Sequence, residues 1–232
     1  MNKINFDKVK QITGMVLGEQ GRTLYVTPII AAIVLVLVFV FMENNYADVI
    51  ENVIRFSIPM SLIIPTVVVI QKFIGERPVQ RIITLPASNL DKYTAMLFAI
   101  VTQSVLWFVL TLVTNVVLLL IASSIFYGIE ASVVLSLIFD IMYLRFIIPM
   151  MFIAALVGWG KIAARTALSC RIVDYVLIAL SFVGYLIMLP IFINQNAMAV
   201  VVSLTIYSFV VMILAIVRSY YNFKKIISYV DE

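Results

Sequence analysis

The sequence has no histidine and a single cysteine, Cys170, and charged residues fill only 12% of its 232 positions. Without histidine there is no imidazole metal site, no Ser-His-Asp triad and no imidazole pH sensor. One cysteine forms neither an internal disulfide nor a cysteine cluster, and Cys170 is assigned no role. The charged share is about half that of an ordinary soluble domain. Hydrophobic residues make up 64% and the mean hydropathy is +1.14. A soluble globule of this size cannot hide so much apolar surface, and a disordered chain would be poor in apolar residues. The composition therefore predicts an all-α integral membrane protein, since lone helices satisfy their own backbone in lipid.

Apolar runs of about 20 residues mark membrane-crossing helices. They fall at about 24–42, 55–74, 93–118, 137–159, 175–193 and 197–217. The uncharged stretch from Tyr93 to Ile129 is long for one helix and short for two, and it has no Gly or Pro before Gly128. Loop charge decides for one. Lys3, Lys8, Lys10 and Arg22, then Lys72, Arg77, Arg81 and Lys92, then Lys161, Arg165 and Arg171, then Arg218, Lys224 and Lys225 all fall on one side. The opposite loops carry Glu43, Asp48, Glu51 and Glu130 and no basic residue. Positive charge collects on the cytoplasmic face, so six spans with both termini inside are expected, in a multi-pass protein of the cell (inner or plasma) membrane. The basic balance belongs to that inner rim and does not call for nucleic acid. No cleavable leader is expected, because the first apolar run begins only at Leu24 and is followed by MENNYADV.

Residues 1–23 precede the first span. There Phe6, Val9, Ile12 and Val16 recur at helical spacing, with Lys3, Asp7, Lys10 and Gln11 on other faces. This predicts an amphipathic helix along the inner membrane surface, and Gly14, Gly18 and Gly21 are expected to allow close helix contact. Residues 24–217 form the transmembrane domain. In the 218–232 tail, Tyr220, Tyr221, Phe223 and Tyr229 alternate with Lys224 and Lys225 as at an interfacial exit.

The most distinctive stretch is the inner loop 75–92. Pro78 suits the first position of a short helix, with Val79, Ile82 and Ile83 as an apolar edge beside Arg77, Gln80 and Arg81. Leu85-Pro86 ends it. Ser88 and Asp91 have capping-box spacing and predict the start of the third span. The string Ile83-Thr84-Leu85-Pro86-Ala87-Ser88-Asn89-Leu90-Asp91-Lys92, with Glu76 before it, resembles the signature loop of type-2 ABC transporter permeases. Chain length, six-span order and the amphipathic first helix are similar as well. The resemblance implies a membrane-spanning permease subunit, an exporter, that pairs with a second permease chain, identical or related, within membrane lipids. It also implies docking of two ATP-binding subunits. Glu76, Arg77, Gln80 and Arg81 would form the docking element, and Leu85, Pro86, Ser88 and Lys92 the start of the third span. Asn89 stands where many members carry a basic residue.

ATP and magnesium would then belong to the partner, and no catalysis is expected in this chain. A phosphate loop needs Gly-x-x-x-x-Gly-Lys-Ser/Thr; at Gly160-Lys161 the next residue is Ile162, and Ala155 holds the first glycine position. Three charged residues fall inside apolar runs, where charge is costly: Arg55, Asp140 and Arg145. Asp140 and Arg145, five apart, point roughly 140° away from each other on one helix. They form either ion pairs that fix helix packing, Asp140 with Arg55 among them, or an outer vestibule for a charged or amphipathic substrate. In the third span Gln103, Thr111, Thr114 and Asn115 share one side and Thr102 does not, which predicts helix-to-helix hydrogen bonds. Pro59, Pro65, Pro149 and Pro190 mark expected kinks. The rival readings are an ion-coupled six-span carrier, an intramembrane lipid enzyme lacking obvious acid–base machinery, and a non-transporting immunity or assembly factor.

Overall fold

The computed structural model describes residues 4–43, 45–74, 86–128, 130, 132–136, 144–193 and 197–228, with side chains described for all but 144–149, 187–193 and 197–201. Seven helices of 15 residues or more account for most of them: α1 (Phe6–Gln20), α2 (Thr23–Met42), α3 (Tyr46–Ile74), α4 (Asn89–Ala122), α5 (Leu144–Ala163), α6 (Leu168–Ile193) and α7 (Ala197–Ser228). No strand occurs among the described residues. By length and composition, α2, α3, α4, α6 and α7 are each able to cross a membrane. In α5 the side-chain-described part, Met150–Ala163, is a shorter apolar stretch. The chain is thus a helical protein with several helices suited to a multi-pass membrane location.

The long uncharged stretch is one helix. α4 has 34 residues and continues as a wider-wound turn, Ser123–Tyr127, that ends at Gly128. Gly128 has φ +63°, a left-handed conformation that suits glycine because it lacks Cβ. Gly21 ends α1 at φ +50° and ψ −130°, a different positive-φ region, and α2 begins two residues later. α3 runs through Pro59 and Pro65, and α2 through Pro28, without a break in the helix.

Contacts fix the relative directions. Tyr46 at the start of α3 donates to Leu119 O near the end of α4, and Asn115 of α4 donates to Ser57 of α3 at 2.7 Å. α3 and α4 are therefore antiparallel. Tyr127 donates to Val40 O and Glu43 O at 3.4 and 3.3 Å, so α2 ends where α4 ends and the two run in the same direction. α3 occupies the centre, packed on α2, α4 and α5; α7 covers α5, and α6 lies outermost against α5 and α7. α1 runs beside the first half of α4.

Three apolar clusters hold the bundle. The first joins Val9, Ile12 and Val16 of α1 to Val69, Ile70 and Phe73 of α3, Tyr93 and Met96 of α4, and Phe223 and Ile227 of α7. The beginning of the described chain and the last turns of α7 thus share one end of the bundle. The second cluster, at the opposite end, gathers Tyr46, Val49, Ile50, Val53 and Leu119 with Val134 from the turn 132–136. The third unites α5, α6 and α7, where Phe152 stacks on Tyr185 at 4.9 Å between ring centroids.

The apolar stripe of α1 is mostly inward. Val9, Ile12 and Val16 are buried against the bundle, whereas Phe6 stays 67% exposed. The glycines of this helix do not serve close contact: a Cβ at Gly14, Gly18 or Gly21 would meet nothing within 4 Å. They sit on its open side, and the close approaches occur elsewhere. At Gly158 a Cβ would lie 3.1 Å from Thr66 Cγ2, and at Gly184 it would lie 2.5 Å from the Tyr207 hydroxyl.

Candidate functional site: the start of α4

The residues on either side of positions 75–85 converge on the first apolar cluster. Phe73 and Ile74, at the end of α3, belong to that cluster, and Ala87 packs against it. Glu76, Arg77, Gln80, Arg81 and Leu85 lie outside the described residues. Pro86, Ser88 and Lys92 are described, and the N-terminal helix meets this stretch at Pro86 and at Asp91.

Ser88 caps α4. Its hydroxyl accepts from the Asp91 N–H at 3.1 Å, and the Asp91 carboxylate accepts from the Ser88 N–H at 3.2 Å and the Ser88 hydroxyl at 2.7 Å. This is the reciprocal capping box that the spacing predicts, satisfying donors a helix start otherwise leaves open. The other Asp91 oxygen accepts from the Asn5 N–H at 2.8 Å. Asn5 is itself the cap of α1, its side chain accepting from the Lys8 N–H at 3.2 Å. The Lys8 ammonium donates to Pro86 O. One carboxylate therefore joins the first turns of α1 and α4, and Lys8 ties the same turn of α1 to the loop's end.

Asp91 lies two residues ahead of the apolar run that starts at Tyr93. Burial by itself raises its carboxyl pKa. Hydrogen bonds from Asn5 and Ser88, with the Lys8 charge nearby, outweigh that and bring it below the ordinary carboxylate value. Lys92, beside it, is buried and partnered.

Further along, Thr13 of α1 donates to Ala95 O at 3.3 Å, and Gln20 donates to Gln103 at 2.8 Å. The contacts 5–91, 13–95 and 20–103 rise together, so α1 and α4 run in parallel. The polar side of α4 serves interhelical bonding: Gln103 and Asn115 bond to other helices, Thr114 bonds back to Leu110 O, and Thr102 faces outward.

The charged residues of the apolar runs are distributed differently. Arg55 pairs with Glu51, one turn earlier on its own helix, and both are about half exposed. Asp140 lies outside the described residues, and Arg145 is described only as a backbone position in α5.

A second polar centre was not singled out from the sequence. Asp174 of α6 is fully buried, accepting from Arg218 Nε and Asn222 Nδ2 of α7, each at 2.7 Å. Its signal was visible as one acid following Lys161, Arg165 and Arg171. Its partners lie 44 and 48 positions away, a separation that no local pattern bridges. Among the described residues no group of three or more His, Cys, Asp or Glu side chains is gathered to hold a metal ion.

Comparison with known protein families, curated proteins and solved structures finds no match.

Proposed function

We propose that this chain is the membrane-spanning subunit of an ATP-driven transporter of the type-2 ABC kind, working as an exporter. In this reading α2 to α7 are six crossings, both termini lie inside, and α1 sits at the inner interface with its buried stripe on the bundle. Two such chains, identical or related, enclose the path, and two ATP-binding subunits dock on residues 76–81. Nucleotide and magnesium stay in those partners.

The observation that carries the proposal is the joint at Asp91. A loop that resembles the permease signature ends in a cap bonded to α1, and the residues on either side of positions 75–85 reach one apolar cluster shared by α1, α3, α4 and α7. Force applied to such a loop acts on four helices together. α4 also suits the role by length: its 34 residues span about 51 Å, well beyond a hydrocarbon core of about 30 Å. The excess, beside α1, gives a partner something to grip outside the lipid.

The test is purification of the tagged chain from its native membrane in mild detergent, with mass spectrometry of bound proteins and an ATPase assay. The expected result is a stoichiometric partner with a phosphate-loop sequence, lost in the double variant Glu76→Ala, Arg81→Ala. Recovery of the folded chain alone, without ATPase activity, would overturn the proposal in favour of a carrier or an immunity factor.

A further inference from the structure

Charge is spread unevenly over the end of the bundle that holds the inner loop. Along α1 and at the start of α4 the signs are mixed, with Asp7, Glu19 and Asp91 among Lys8, Lys10 and Lys92. From Met150 to Ser228 one acid, Asp174, stands against Lys161, Arg165, Arg171, Arg218, Lys224 and Lys225. That acid is fully buried, so the surface there is basic.

The seam between α6 and α7 gives this charge a definite shape. Arg218 Nε donates to one Asp174 oxygen at 2.7 Å, and Asn222 Nδ2 donates to the other at 2.7 Å. The Arg218 side chain is nevertheless 38% exposed. Among the described residues its guanidinium makes no other hydrogen bond, which leaves the N–H groups of its two terminal nitrogens. A guanidinium oriented by a buried carboxylate is a preorganised fork for phosphate. Two turns further along α7, Lys225 Nζ lies 3.5 Å from Cys170 Sγ of α6, and Lys224 and Lys225 are both exposed. The carboxylate cancels one charge, and the two lysines keep the seam cationic.

Toward the middle of the bundle the same seam is apolar. Leu214, Arg218, Tyr221 and Lys225 follow at steps of three or four residues and so share one face of α7. Cys170, Val173 and Leu177 do the same on α6. Leu214, Tyr221, Val173 and Leu177 are all exposed. Arg218 directly follows the apolar run 197–217, and Asp174 directly precedes the run 175–193, so the cations stand at the edge of the hydrocarbon. α6 is the outermost helix, and lipid reaches the seam from the side. An acidic protein segment would satisfy the cations but not the apolar row. A phospholipid satisfies both.

We infer that this seam binds an anionic glycerophospholipid of the adjacent leaflet. Its phosphate accepts hydrogen bonds from the terminal nitrogens of Arg218, and Lys224 and Lys225 attract its charge. One acyl chain lies along Val173, Leu177 and Leu214. The site requires a membrane location but no ATP-binding partner, so its failure and that of the proposed function are separable.

The test reconstitutes the full chain into vesicles of equal phosphatidylglycerol and phosphatidylcholine, then counts the lipids retained after detergent purification. Wild type should retain phosphatidylglycerol about fivefold over phosphatidylcholine, the worth of one basic residue at an anionic surface. Arg218→Met combined with Asp174→Asn removes the fork without stranding a carboxylate and should bring that ratio close to one. Lys10→Gln, at the same end of the bundle but on α1, should leave it unchanged. A second arm keeps the ion pair intact: a photo-crosslinking residue replacing Tyr221 should capture phosphatidylglycerol well above its share of the vesicle. Equal retention of the two lipids by wild type, or an unchanged preference in the double variant, would overturn the inference. Capture at position 221 in simple proportion to vesicle composition would overturn it as well.

Discussion

α3 and α6 are both apolar helices of membrane-crossing length, yet they occupy opposite stations in the bundle. In the apolar window of α3, 50% of residues are buried inside the protein; in that of the side-chain-described part of α6, Leu168–Leu186, only 11% are. Hydropathy is not what distinguishes them. Lipid tails are as apolar as leucine, so apolar side chains gain little by facing protein rather than lipid. Small and polar residues make the difference. α3 carries Ser57, Ser61 and Thr66 on its buried side and receives Asn115 at Ser57. α6 is held at one end by Asp174 and further along by Gly184 and Tyr185, while Leu180, Phe182, Val183 and Leu186 face outward.

If α6 depends on those few contacts, the largest effect should come from its ion pair. Arg218→Met leaves the buried Asp174 carboxylate with Asn222 alone. Removing one partner of a buried pair costs several kcal/mol; the partial exposure of Arg218 lowers this to about 2 kcal/mol. Thermal unfolding in detergent should show the loss, and Asp174→Asn in the same chain should recover most of it. A next effect comes from Gly184→Ala, whose Cβ collides with the Tyr207 hydroxyl and disturbs its 2.8 Å bond to Ser181 O. Overpacking of this kind costs about 1–3 kcal/mol, readable by the same unfolding assay.

The central helix should respond more evenly. Asn115→Leu removes the bond to Ser57 and should cost about 0.6 kcal/mol, the usual worth of an interhelical side-chain bond in a bilayer. Steric trapping or denaturant titration in lipid bicelles would resolve it. Least of all should follow from Leu180→Ala on the outer face of α6, expected within about 0.5 kcal/mol of wild type. A larger loss there would place protein against that face and weaken the contrast with α3.

Much of this was legible in the sequence where the signal is local. Ser88 and Asp91 stand three apart, and the capping box follows from that spacing and from the hydrogen-bond needs of a helix start. The continuity of α4 followed from the loop charges, and it agrees with the absence of Gly and Pro between Tyr93 and Tyr127. Its polar side was legible from helical periodicity, including the outward Thr102. What stayed hidden depends on which faces meet. Gly14 and Gly18 looked like contact points, but periodicity shows only that they share a helix, not that a neighbour lies against them. The same holds for Asp174 with Arg218 and for Asp91 with Asn5. Phe6 falls in the apolar stripe of α1, but it lies in the first turn, and the bundle covers only Val9, Ile12 and Val16.

The central claim is that the inner loop, tied through Asp91 to α1 and α4, receives an ATP-driven partner. Its most direct test is site-specific photo-crosslinking in intact cells, with the crosslinking residue at Gln80 or, on the opposite side, at Glu130. The account predicts capture of an ATP-binding protein from position 80 and none of it from position 130. Capture of that protein from position 130, or no such protein from position 80 in a folded, membrane-inserted chain, would contradict it.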